Sequence, residues 1–289
     1  MKDILSLCIA LTVAVGTVGS HALAYEETPV KNGGTITGQA ILKGPVPSPR
    51  IFLLSLSPFG SYCQKISDGH GRIVLEEYAV GPDGGMRDVI IAVQDVKAGK
   101  PFPPITGRFE ATDCMFHPAD VPTNELYTTD EHGHTQHIHP MVGVIENHRP
   151  ISVVNKDPIF HNGQFFQRER GNILLNFPLP VSGKPRGGVL NFGPGMRIGQ
   201  MICGMHEFMQ TWGFVVDNPY YDKTSTDGRF SIDQLPPGTY RVLAWHPHFK
   251  PIEKIVQVPA NAAVTVDFEF DAAQIKRRTF ETDQGLRVH

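Results

Sequence analysis

Apolar residues in this chain come in short runs, alternating or β-branched, with turn residues between them. No stretch carries the 3.6-residue period of a long amphipathic helix, and no segment repeats. Thr35–Leu42 reads as a first strand, closed by Gly44-Pro45. Asp88–Val96 (DVIIAVQDV) follows a Pro82-Asp83-Gly84-Gly85 turn and is the clearest early strand. Met141–Ile145 and Ile151–Asn155 predict two more, with a turn near Asn147, and Arg197–Cys203 and Thr211–Asp217 flank a tight loop. Past Asn218-Pro219, Thr226–Ile232 reads as a turn and strand, and Leu235-Pro236-Pro237-Gly238 as a second turn. Strands over Arg241–Trp245, Ile255–Val258 and Ala263–Phe270 follow. The pattern predicts an all-β protein. Residues 98–139 break it: rich in Pro, Thr, Asp and His and poor in periodicity, they read as a long loop, a feature often tied to function.

The chain has 289 residues, 40% of them hydrophobic, more than one small domain needs for its core. Its 29 Gly and 24 Pro suit many short strands joined by turns. A net charge of -3 offers nothing to a nucleic acid, whose binders show a basic face. Residues 1–24 read as a signal peptide: Lys2, an apolar run from Ile4 to Val18, and Ala22-Leu23-Ala24 as cleavage signal. Cleavage after Ala24 would put the protein in the periplasm or outside the cell, and no later segment has the length and apolarity of a membrane span. Loss of Cys8 leaves Cys63, Cys114 and Cys203. One pair plus one metal-bound thiolate would account for this odd number.

The loop Cys203-Gly204-Met205-His206-Glu207-Phe208-Met209 sets a thiolate, an imidazole and a thioether within seven residues. Two histidines and a cysteine in a plane, with a weak axial methionine, are the blue-copper ligand pattern. The second imidazole is offered by His161 in Asn155-Lys156-Asp157-Pro158-Ile159-Phe160-His161-Asn162. A lone Cys-x-x-His is usually accidental, and the flanking strands and the upstream His-Asn are what raise this one above chance.

These residues resemble cupredoxins. The Cys-x-x-His-x-x-Met spacing is similar to that of amicyanin, and Asn155-x-Asp157…His161-Asn162 to the cupredoxin Asn-x-Asp…His-Asn motif. The run from Ile202 to Tyr221 resembles exported proteins of the methylamine-utilisation or plastocyanin-like type, in which a carboxypeptidase-regulatory-like β-module follows the cupredoxin. Thr226-Asp227-Gly228-Arg229-Phe230, Leu235-Pro236-Pro237-Gly238-Thr239-Tyr240 and Ala244-Trp245-His246-Pro247 carry the second half of that likeness. The resemblance implies a cupredoxin Greek-key β-sandwich over residues 34–218, with a His-rich insert at about 117–139. It also implies a transthyretin-like module over 219–270 and leaves a polar tail over 271–289. It implies one type 1 copper ion on His161, Cys203, His206 and Met209. With Cys203 on copper, Cys63 and Cys114 remain as a disulfide pair. Glu207 stands where that family often has Pro. The strand Thr35–Leu42 could open either domain, since such modules often begin Gly-x-Ile-x-Gly; in the second case the copper domain would be an insertion.

Six of the 13 histidines fall between His117 and His148. His132, His134, His137 and His139 form a candidate second site for Cu or Zn, against the bland reading of a solvated loop. His246 reads as a packing or turn residue. One-electron transfer to a cytochrome or dehydrogenase is the leading expectation, with no enzyme activity of its own, since no nucleophile-base pair or phosphate loop is present. The rivals are copper trafficking or storage, and a copper-binding docking subunit of a larger redox complex.

Overall fold

The computed structural model describes residues 25–54, 60–104, 106–167, 171–192 and 197–275. The expected signal segment and most of the polar tail lie outside these residues. The regular structure of the described residues is nearly all strand, as the apolar pattern predicts, and forms two β-sandwiches, a separate four-stranded sheet and the short pair Glu26–Glu27 with Ala98–Gly99. No helix among the described residues is long and apolar enough to cross a membrane.

The first sandwich carries the candidate ligands. Its larger sheet runs in the order Val142–Glu146, His206–Val216, Ile198–Cys203, His161–Gln167, Ile173–Leu179. A second sheet holds Arg186–Val189, Pro150–Asn155, Arg108–Thr112 and Met115–Pro118. Alternate side chains from both sheets, among them Phe109, Val153, Phe165, Leu179 and Met201, fill one shared core with Cys203.

The second sandwich settles the ownership of the early strands. Gly34–Lys43 pairs antiparallel with Arg229–Leu235 and parallel with Ala263–Thr265 and Phe268–Asp271. Ile90–Val93 pairs with Gly238–Trp245 and Tyr221–Lys223, and Gly238–Trp245 with Ile252–Val258. The expected division at 218/219 is therefore not the division of the sheets. The C-terminal strands bury Ile232, Val242, Ala244 and Phe268 only with Ile36, Ala40, Ile91 and Val93, which come from far upstream. The ligand-bearing sandwich is inserted between these two parts of its neighbour. The two pack through Val142, Trp212, Phe214 and Val216 on one side and Ile90, Ala92, Leu243 and Trp245 on the other.

Residues 98–139 are not the long loop that the sequence suggests. They hold Arg108–Thr112, Met115–Pro118, Tyr127–Thr129 and Thr135–Ile138. These strands have three to five residues each, too few for a period-two pattern to show between prolines. Thr112 faces Met115, leaving Asp113 and Cys114 as a two-residue turn with φ of 54° and 56°. Both positive values are the form that such hairpins favour, and Asp-Cys is not its usual sequence signal. The separate four-stranded sheet, Arg50–Leu53, Arg72–Leu75, Thr135–Ile138 and Tyr127–Thr129, packs against the first core through Ile73, Leu75 and Ile138, joined by Leu54 just past its first strand.

Candidate metal centre

Three of the four expected ligands converge. His161 opens one strand, Cys203 ends its neighbour, and His206 begins the next after the link Gly204-Met205. Gly163 lies opposite Cys203, and a register shift between Ile202 and Cys203 brings Cys203 opposite His206. Cys203 Sγ stands 3.8 Å from His161 Nδ1 and 3.6 Å from His206 Nδ1. Their exposures are 0% for His161 and 1% for Cys203 and His206. Two metal bonds of about 2.0 and 2.3 Å at 120° span about 3.8 Å, so one ion fits between these atoms. Met209 is buried in the same core as Cys203, three residues along the strand from His206.

Hydrogen bonds set the orientation of these donors. His161 Nε2 meets Asp157 Oδ2 at 2.8 Å, which leaves Nδ1 to face the sulfur. Asp157 is itself held: its carboxylate accepts the backbone N–H of Asp113 at 2.7 Å and of Cys114 at 2.9 Å, and the Tyr62 hydroxyl at 3.0 Å. Asn155 Oδ1 accepts from Asp157 N, while Asn155 Nδ2 donates to the carbonyls of Ile159 and Leu179. The Asn162 N–H donates to Cys203 Sγ at 3.5 Å. Burial opposes a thiolate at Cys203, yet the hydrogen bonds from His161, His206 and the Asn162 backbone bring the thiol down to about 6. Burial likewise opposes an imidazolium at His161, but the Asp157 carboxylate and Cys203 sulfur outweigh it and raise the ring to about 9. A ready thiolate is what a soft metal ion requires.

Cys63 and Cys114 form the expected disulfide, and Cys203 is the free cysteine among the described residues. The bridge pins the short helix Gly60–Cys63 to the turn whose N–H groups hold Asp157. Asp157, Tyr62 and the Asp113-Cys114 turn are the functional residues that the ligand pattern missed. Asp157 alone had a sequence signal, as part of the Asn-x-Asp motif.

The histidine-rich run does not converge. His132 and His134 lie beside Glu131 and Asp130 on an exposed turn, whereas His137 and His139 both face Glu76. The four histidines are thus divided, His132 and His134 in the turn and His137 and His139 on and just past the strand Thr135–Ile138, and do not form one site. His246 is buried and stacked on Tyr78 at 5.7 Å, as a packing residue would be.

Residues 216–271 match the carboxypeptidase regulatory-like domain, a minority of the chain. No curated protein matches. Among solved structures, a copper-containing nitrite reductase from Thermus scotoductus SA-01 is 16% identical at a TM-score of 0.26, covering 43% of this chain and 24% of its own. A purple cupredoxin from Nitrosopumilus maritimus is 18% identical at 0.25, covering 38% of this chain and 99% of its own. A reduced point mutant of amicyanin is 10% identical at 0.23, covering 44% of this chain and 98% of its own. All three likenesses are slight, and the ligand geometry stands without them.

Proposed function

We propose that this chain is an exported, cupredoxin-type blue copper protein that carries one electron at a time. The observation that supports this is the buried His161–Cys203–His206 trio, with sulfur-to-nitrogen distances that suit one ion. Met209, buried in the same core as Cys203, would supply the weak thioether donor. Copper held there would supply a centre that alternates between Cu(I) and Cu(II). The chain supplies the rest. Cys203 offers a thiolate whose lone pair the Asn162 N–H steadies. Asp157 fixes the tautomer and tilt of His161. Three neighbouring strands hold the donors in one arrangement, so little has to move when the electron comes or goes. Both imidazoles are closed off from solvent, which favours retention of the metal over hand-off to another carrier. A cytochrome or dehydrogenase is the partner class this reading calls for, and the protein would be no enzyme by itself.

The test is the absorption and EPR spectrum of copper-loaded protein. An intense blue or green band that disappears in Cys203→Ser is expected. Colourless protein with a full copper complement would refute the site.

A further inference from the structure

The histidine-rich run is the motif that the proposed electron-transfer site leaves unused. Asp130 organises its exposed half: Oδ1 accepts the backbone N–H of His132 and of His134, each at 2.9 Å. Those contacts are an ordinary turn and point to no ligand.

The other half is built differently. Ile138 lies opposite Leu75 in a parallel pair, and the Glu76 N–H donates to the Ile138 carbonyl at 2.8 Å. Ile138 and Leu75 are both buried, so alternation turns His137, His139 and Glu76 to the opposite face of the sheet. There Glu76 Oε2 stands 3.5 Å from His139 Nδ1 and 3.8 Å from His137 Nδ1. Both separations are too long for a hydrogen bond. His139 Nδ1 is buried and finds no hydrogen-bond partner of good geometry among the described residues, a costly state for a ring nitrogen. Two metal bonds of about 2.0 to 2.1 Å to a shared ion span at most about 4 Å, so each gap admits one ion. The Arg87 cation is engaged by Asp88, Glu125 and Met141 Sδ.

We infer that Glu76, His137 and His139 form a second metal site, for a divalent ion of borderline softness such as Zn(II) or Cu(II), completed by water. Without an ion, the three donor atoms do not all lie within 4.8 Å of one another. His137, whose side chain is 43% exposed, is the donor that turns inward on binding. His132 and His134 take no part.

The test is Co(II) titration of the metal-free protein with its disulfide intact, followed by Zn(II) stoichiometry after dialysis. A cobalt ion on Cys203 gives an intense sulfur charge-transfer band, whereas one held by imidazole and carboxylate gives only weak visible bands. The second equivalent is thus read independently of the first. Two equivalents are expected. Changes around a ligand alone cost about 10–100-fold in affinity, so Glu76→Gln and His137→Ala should each weaken the second equivalent by at least about a hundredfold. The sulfur band should be unchanged, which shows that both variants fold. Replacing His132 and His134 together by Ala should leave both equivalents in place. The inference is overturned by the absence of a second equivalent, by one that survives Glu76→Gln, or by one that His132→Ala/His134→Ala removes.

Discussion

Asp157 Oδ2 and His161 Nε2 lie 2.8 Å apart, both buried, and this contact decides which nitrogen of His161 faces Cys203. The aspartate is four residues upstream, across the Pro158 turn, and is itself fixed by two backbone N–H groups of a hairpin tip. Asp157→Asn should therefore loosen the metal without removing a ligand. A fall in copper affinity of about 10–100-fold is expected, with the β-sheet circular dichroism retained. Competition with a copper chelator checks it. Unchanged affinity would show that the ring is held by packing alone.

The disulfide closes a sequence separation of 51 residues. The chain-entropy model assigns such a loop about 4 kcal/mol, and Cys63→Ala/Cys114→Ala should lose that much in urea unfolding. Thiol counting on unfolded, metal-free protein without its leader should find one free thiol, Cys203. The double variant should also weaken copper binding, because Cys114 sits at a positive φ in the turn that holds Asp157. Retained affinity would mean that the turn keeps its shape without the bridge.

Acid should act through Glu77. Its carboxylate is buried with Arg50 at 2.6 Å and His248 at 3.3 Å, and His246 lies beside His248. Burial alone would raise it, but the His248 and Arg50 charges outweigh burial and hold it down at about 2. A carboxyl depressed on folding contributes stability that is whole above its unfolded value, about 4.3, and is lost as pH falls toward 2. The contribution is on the order of 3 kcal/mol. Glu77→Gln should flatten the fall in stability between about pH 4.5 and 2. Denaturation across that range measures it, and an unaltered slope would assign the acid sensitivity elsewhere.

Trp245 from one sandwich and Phe214 from the other meet as a tilted ring pair with centroids 5.1 Å apart. Because the sandwiches share this apolar seam and one is inserted in the other, calorimetry should show a single unfolding transition. Trp245→Ala should cost about 3–5 kcal/mol, and should split the transition if the seam is what couples them. Two transitions in the unaltered protein would show that each sandwich unfolds alone.

The features legible along the chain are local ones. Period-two runs bounded by Gly and Pro implied an all-β chain, because side-chain direction in a strand alternates whatever lies opposite. Cys203 and His206 share a short loop, so their joint role was legible from spacing. Long-range pairing was left to the folded molecule. The partners of Gly34–Lys43 lie some 190 or more residues downstream, and no local pattern encodes which edge a strand joins. The pattern gave no sign of Ile173–Leu179, whose exposed edge residues mask the alternation. Asp157 became a support for His161 only when the Asp113-Cys114 turn and Tyr62 closed around it. The four clustered histidines looked like one site in sequence. Strand pairing split them, because a hydrogen-bonded register sends His137 and His139 to Glu76 and leaves His132 and His134 in the turn.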